Sequence, residues 1–311
     1  MKHYLLALSI GVTALVGCQS PKESNLVASN FTFAEQQFKY AFSKIDEARA
    51  NESQESRDKR IAKQWGELTN PRNTEPDGSL HLVPSRDWTS GFFPGELWYV
   101  YEYTHDPFWK EKAEKHTEML EREKKNGTTH DMGFKMYCSY GNAERLAPND
   151  TVPPALIQTA DNLIGRFNPT IGCIRSWDFG TWNFPVIIDN MMNLDLLFYA
   201  SRQTGDPKYK NIAITHANTT LKNHFRPDAS SYHLVSYNND GTVERKQTHQ
   251  GKNDDSSWAR GQAWAIYGYT SCYRETKDTT YLNFAERVAD LIMTRVKTDD
   301  LIPLWDYDAP D

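Results

Sequence analysis

This chain of 311 residues has no block of basic residues: 35 Lys and Arg are dispersed among 41 Asp and Glu, for a formal charge of −6. A nucleic-acid-binding protein needs a clustered positive face, so that class is disfavoured. Long apolar runs are also missing. The longest, Leu5 to Val16, is too short to span a bilayer comfortably. Alternating runs rich in Val, Ile and Thr do not recur, so β-structure should be minor. Cysteine is scarce, and the four present (Cys18, Cys138, Cys173 and Cys272) include no C-x-x-C pair. Neither a disulfide framework nor a structural zinc site is indicated. Nothing in the pattern asks for a cofactor. Aromatic residues, by contrast, make up 13%, with nine Trp, enough to build a core and leave flat faces for stacking on sugars.

The N-terminus begins with Met1-Lys-His, follows with the short apolar run, and reaches Leu15-Val-Gly-Cys18. A small residue before Cys at the end of such a run resembles a bacterial lipoprotein signal, in which Cys18 is lipidated and becomes the mature N-terminus. Residues 1–18 are therefore read as signal, 19–33 as a polar tether and 34–311 as the folded body. The expectation is an exported protein anchored to a membrane by lipid, in the periplasm or on the surface of a Gram-negative bacterium.

A helical unit repeats along the body. Thr104-x-Asp106-x-x-Trp109-x-x-x-Ala113 is matched by Thr204-x-Asp206-x-x-Tyr209-x-x-x-Ala213 and by Thr276-x-Asp278-x-x-Tyr281-x-x-x-Ala285. One helix ends near the Thr, the Asp caps the next, the aromatic packs the pair and the Ala permits close approach. Each copy marks an αα-hairpin. The segment before each turn is the more apolar, and the segment after it is amphipathic. This alternation predicts an inner ring of helices wrapped by an outer ring, with the long loops converging on one mouth; an open solenoid is the rival. Helices are expected at 34–50, 91–104, 107–125, 133–146, 153–168, 185–203, 207–224, 258–276 and 279–296. The charged run Glu111–Lys125 is read as a solvated outer face, and His116 and His216, at the same repeat position, as structural.

Within the helix expected at 185–203, Pro185-Val-Ile-Ile-Asp-Asn-Met-Met-Asn-Leu-Asp-Leu-Leu-Phe198 is apolar almost all round yet carries Asp189 near its start. Such a helix belongs in an interior, and a carboxylate there is either a helix cap or an acid with a raised pKa. Three further loop-to-helix junctions hold polar and aromatic candidates: Arg86-Asp-Trp-Thr-Ser-Gly91, Thr129-His-Asp-Met-Gly-Phe134, and the stretch from Ser230-Ser-Tyr-His233 through Thr248-His-Gln-Gly251 to Trp258-Ala-Arg-Gly-Gln-Ala-Trp264. His233 and His249 with Asp254 and Asp255 can be drawn as a metal site, but two loop histidines so far apart are weak grounds for one, and no metal is expected.

Taken in order, D-W-T-x-G-F, H-D-x-G-F, I-I-D-x-x-x-N-L, S-S-Y-H, T-H-Q-G and S-x-W-x-R-G-Q-A-W resemble the unsaturated glucuronyl hydrolases, glycoside hydrolase family 88. The resemblance runs from about residue 35 to the last residue. It implies an all-α fold, an (α/α)6 barrel or toroid. Six hairpins close such a ring, so about three C-terminal helices are expected to be missing from this chain. It also implies catalytic carboxylates at Asp189 and Asp131, and substrate-lining positions at Trp88, His233, Gln250, Arg260 and Trp264. The implied reaction removes a 4,5-unsaturated uronic acid from the non-reducing end of lyase-generated, glycosaminoglycan-type oligosaccharides by hydrating the C4=C5 bond. Asp189 would protonate C4 and then activate water; Asp131 would hold Asp189 in place or polarise the water. Arg260 or His233 would meet the uronate carboxylate, and Trp88 and Trp264 would stack on sugar. The alternatives are the sister family acting on unsaturated rhamnogalacturonan, another (α/α)-barrel hydrolase acting on saturated polysaccharide, and an inactive glycan-binding lipoprotein.

Overall fold

A computed structural model describes residues 21–310; Cys18 and the signal reading lie outside the described residues. The elements in chain order are α1 (Pro21–Ala50), α2 (Gln54–Ala62), β1 (Leu68–Thr74), β2 (Leu80–Pro84), α3 (Phe92–Thr104), α4 (Pro107–Glu118), α5 (Cys138–Leu146), α6 (Val152–Ile164), β3 (Phe167–Asn168), β4 (Cys173–Ile174), β5 (Pro185–Ile187), α7 (Leu194–Thr204), α8 (Pro207–Asn223), β6 (Leu234–Tyr237), β7 (Val243–Gln247), α9 (Ala259–Thr276) and α10 (Thr279–Arg295). A π turn at Gly133–Tyr137 leads into α5, and a 3-10 segment at Ile188–Asn193 leads into α7.

The architecture is the α/α toroid. Inner helices α3, α5, α7 and α9 pack side by side, and each is followed in sequence by its outer partner α4, α6, α8 or α10. The repeated turns fold as their chemistry requires. Asp106, Asp206 and Asp278 cap α4, α8 and α10 by accepting the N–H two residues on, at 2.9, 2.9 and 2.8 Å. Thr104, Thr204 and Thr276 accept the N–H of the capping Asp. Trp109, Tyr209 and Tyr281 are buried, as are Ala113, Ala213 and Ala285. His116 and His216 each hold a preceding segment: His116 Nδ1 lies 2.6 Å from Asn70 Oδ1, and His216 Nδ1 accepts the N–H of Ile174 at 3.1 Å. Both are structural, and burial pushes their pKa values down to about 4 and about 3.

Four expectations are corrected. The first helix begins at Pro21, so the stretch read as tether is helical over most of its length. No Pro or Gly interrupts it from Lys22 to Ala50, and Phe31 stacks on Tyr103 with centroids 3.9 Å apart. The helix expected from Pro185 starts instead as strand β5, because its β-branched run pairs with β6 in register Ile187↔Leu234. The charged outer run is not wholly solvated: α4 ends at Glu118, and Glu123 turns inward to meet the fully buried Lys135 at 2.8 Å, with Ser85 and Asn126 donating to the same carboxylate. A buried pair of this kind persists only when its remaining lone pairs are satisfied. The β1–β2 hairpin and α2 were not anticipated.

Candidate active site

Asp189 is placed by strand pairing. Ile187 is the last residue of β5, and the N–H of Ile188 donates to the carbonyl of His233, one residue before β6. Asp189 and His233 therefore emerge side by side, His233 Nε2 standing 3.9 Å from Asp189 Oδ2. Asp189 is the second residue of the 3-10 segment, whose cap position is held by Ile187, and its Oδ2 is buried without a hydrogen-bond partner. That removes the capping explanation. Burial above all, and then the charge of Asp131, push its pKa up from 3.8 to about 8; the Arg260 cation opposes them.

Strand β7 continues the sheet on β6, pairing Leu234 with Gln247, and delivers the next loop over His233. The N–H of His249 donates to His233 Nδ1 at 2.9 Å, so that ring carries its proton on Nε2, which donates to Gln250 Oε1 at 3.0 Å. Burial pushes the His233 pKa down to about 3. The ring is a neutral donor through the physiological range.

Asp131 sits in the turn before the π segment. Its carboxylate accepts from Thr129 Oγ1 at 2.5 Å and lies 3.1 Å from Nε2 of buried His130, whose pKa burial lowers against the pull of the Asp131 charge. Two links join this turn to the Asp189 segment. Ser176 accepts the His130 N–H on its carbonyl and the Ile187 N–H on its hydroxyl, while its own N–H donates to the Pro185 carbonyl. Asn193 Oδ1 accepts the N–H groups of Gly133 and Phe134 at 2.7 and 3.1 Å. Gly133 is needed there: a Cβ would stand 2.6 Å from Asn193 Cα.

The first turn of α9 supplies the cation. The Arg260 guanidinium lies 4.4 Å from the Trp258 ring and 5.4 Å from the Trp88 ring, with no carboxylate within salt-bridge distance among the described residues. Trp264, one turn further on, packs edge-on against Phe134 at 5.0 Å, and Trp88 does the same at 5.5 Å from the other side. All seven residues expected from the sequence are thus gathered at one mouth. Residues given no role beforehand are His130, Ser176, Asn193 and Trp258, together with Trp177, Phe179 and Trp182, which join His249 in an aromatic wall next to His233, with Trp177 stacked on Phe179 at 4.7 Å. His130, Asn193 and Trp258 stood within the quoted motifs. The wall carried only the signal of two Trp and a Phe bunched around Gly180. Among the described residues no group of His, Cys, Asp and Glu has the geometry to hold a metal ion.

Several known proteins are similar to this chain. The chain is 51% identical over 237 residues to an unsaturated glucuronyl hydrolase from Formosa agariphila, covering 75% of this chain and 59% of that protein. It is 34% identical over 236 residues to an unsaturated chondroitin disaccharide hydrolase from Streptococcus pneumoniae, covering 74% of this chain and 59% of that protein. A crystal structure described as an unsaturated glucuronyl hydrolase specific for heparin superposes with a TM-score of 0.76 and 48% identity, over 81% of this chain and 68% of that one. No protein-family model matches. The chain spans about three fifths of the length of these two curated relatives.

Proposed function

The chain belongs to the unsaturated glucuronyl hydrolases, and from that premise we propose that it removes the 4,5-unsaturated uronic acid from the non-reducing end of lyase-generated, glycosaminoglycan-type oligosaccharides. The observation that carries this reading is the Asp189 carboxyl: buried and unpartnered at Oδ2, with its pKa pushed up to about 8 by burial and by the Asp131 charge.

In the proposed reaction Asp189 gives its proton to C4 of the C4=C5 vinyl ether. The positive charge that develops is shared between C5 and the ring oxygen. The Asp189 carboxylate then takes a proton from the water that adds at C5, returning to its starting state. The resulting hemiketal opens and releases the neighbouring sugar. No nucleophile attacks the anomeric carbon, so the spacing of the two carboxylates does not classify the enzyme as retaining or inverting. Arg260, unpaired and held between two indoles, is the receptor for the uronate carboxylate. His233, being neutral and with its one N–H given to Gln250 Oε1, is assigned to orient that amide instead. Asp131 keeps the Asp189 pKa high, and Trp88 and Trp264 offer faces for sugar.

The relatives named for chondroitin disaccharides and for heparin support a glycosaminoglycan substrate over rhamnogalacturonan. The test is loss of the conjugated C=C–COO⁻ ultraviolet absorbance on incubating the chain with unsaturated chondroitin and heparin disaccharides. Turnover abolished in Asp189→Asn supports the proposal; no turnover of any unsaturated uronide defeats it.

The N-terminal pattern supports a further part of the proposal, export and lipid anchoring through Cys18 to a Gram-negative membrane. Expressed with its signal in such a host, the protein should fractionate with membranes and take up labelled fatty acid. Cys18→Ala should abolish both.

A further inference from the structure

A cavity of about 480 Å3 opens between α2 and the β1–β2 hairpin, away from the carboxylate pair. Lys59, Arg60, Arg72 and Arg86 line it, against Glu55 and Asp87. Two of these cations are already engaged. Arg60 is held by Glu52 at 2.9 and 2.8 Å, and Arg72 by Asp87 at 2.9 Å. Lys59 and Arg86 have no acidic partner among the described residues. Arg86 instead lies over the ring of Trp65 with its guanidinium carbon 5.3 Å from the centroid, and Lys63 lies over the same ring at 4.7 Å. One indole thus holds two ammonium or guanidinium groups at the edge of the cavity, with Lys59 as a third free cation. The cavity on the other side of α2 is also arginine-rich, but its cations are engaged: Arg49 donates to the carbonyls of Leu68 and Thr69, Arg122 to that of Gln64, and Arg57 faces Glu52.

The first cavity borders the substrate mouth. Arg86 and Asp87 directly precede Trp88, on whose ring Arg260 rests. The Arg72–Asp87 pair lines the cavity, Asp87 being the residue before Trp88, and the charge of Arg72 is felt at Arg260. Unpaired cations fixed on an aromatic ring suit an anionic sugar, because the ring holds the charges in place without neutralising them.

We propose that this groove is a second anion subsite, which binds a sulfate- or carboxylate-bearing sugar unit lying outside the terminal uronate pocket. The proposal rests on the hydrolase reading above for its choice of glycan.

The experiment uses the whole chain carrying Asp189→Asn, titrated calorimetrically with three probes: an unsulfated unsaturated disaccharide, a sulfated heparin-derived hexasaccharide and an unsulfated hexasaccharide of the same backbone. The sulfated hexasaccharide should bind about tenfold more tightly than the disaccharide, with a steeper salt dependence. Adding Lys59→Ala and Arg86→Ala should remove that advantage and leave disaccharide binding unchanged. In the otherwise native chain the same pair should leave disaccharide turnover unchanged. Loss confined to the sulfated hexasaccharide identifies sulfate as the ligand; equal loss for both hexasaccharides identifies the carboxylates. The proposal is overturned if the pair alters neither hexasaccharide, or weakens the disaccharide by the same factor. Failure of the hydrolase reading is separately visible, as absent turnover by the native chain while groove-dependent binding persists.

Discussion

The side-chain oxygen of Asn193 stands 2.7 Å from the backbone nitrogen of Gly133, and this contact ties the segment bearing Asp189 to the turn bearing Asp131. Asn193 ends the 3-10 segment that begins beside Asp189, while Gly133 opens the π turn that follows Asp131. One amide therefore sets how strongly the Asp131 charge acts on Asp189. Asn193→Ala would leave two buried N–H groups unpaired, a loss of about 2–4 kcal/mol in stability. It should also lower kcat more than it raises KM. With Asp131 freed to move away, the alkaline limb of the rate profile should shift to lower pH. A purely structural role would lower Tm and leave the limb in place.

In the proposed reaction Asp189 acts in its protonated form, so kcat/KM should fall as pH rises through about 8, the value set by burial and by Asp131. Asp131→Asn removes the repulsion and should move that limb below pH 8. An unmoved limb in Asp131→Asn would show that the two carboxylates do not interact.

The same shift has a stability consequence of definite sign. The folded Asp189 holds its proton more tightly than the unfolded one, so its contribution favours folding less and less as pH rises from about 4 to about 8, and levels off above. Asp189→Asn escapes this. It should lose activity by about 10²–10⁴-fold or more, yet melt above the native chain at pH 8 and by a smaller margin at pH 5. Calorimetry at the two pH values checks the ordering.

Arg260 is held against the rings of Trp258 and Trp88, so Arg260→Lys should not rescue it. Both Arg260→Lys and Arg260→Ala should lower kcat/KM by about 10–100-fold, the equivalent of a charged hydrogen bond. The loss should shrink for a substrate whose uronate is esterified. Steady-state kinetics on the acid and its methyl ester make the comparison.

Gly91 leaves no room for a side chain: a Cβ there would lie 2.2 and 2.3 Å from the carbonyl oxygens of Lys135 and Phe134. Backbone cannot rotate away as a side chain can. Gly91→Ala should cost about 3 kcal/mol or more, seen as a lower urea midpoint, and should disturb the π turn beside Asp131 before it disturbs the outer helices.

How much of this was legible beforehand depended on how local the cause was. Asp106, Asp206 and Asp278 were readable as caps because capping is settled within a few residues. Pro185–Phe198 was misread at its start because a fully apolar run fits a buried helix and a buried strand equally, and only its partner Leu234–Tyr237 decides. The β1–β2 hairpin was hidden by Pro71 and by two register irregularities, which erase the alternation that betrays a strand. Read from its own surroundings, Asp189 was as good a cap as an acid; the motif resemblance and then the missing cap bond separated the two. Asn193 and Ser176 were visible as letters, but their work is done across 60 and 11 residues of sequence. Glu123 looked solvated because nothing local announces the buried Lys135.

The mouth is assembled from the ends of β5 and β6, the first turn of α9 and the turns before α3 and the π segment, so no stretch of chain contains a working fragment of it. Each αα-hairpin closes over a short loop and can form early, whereas the segments bearing Trp88, Asp131, Asp189, His233 and Arg260 meet only when distant hairpins have docked. The proposed turnover should then be the last property to return on refolding and the first to vanish on mild denaturation, ahead of any loss of helix. Turnover thereby measures the docking of the hairpins, which circular dichroism cannot see.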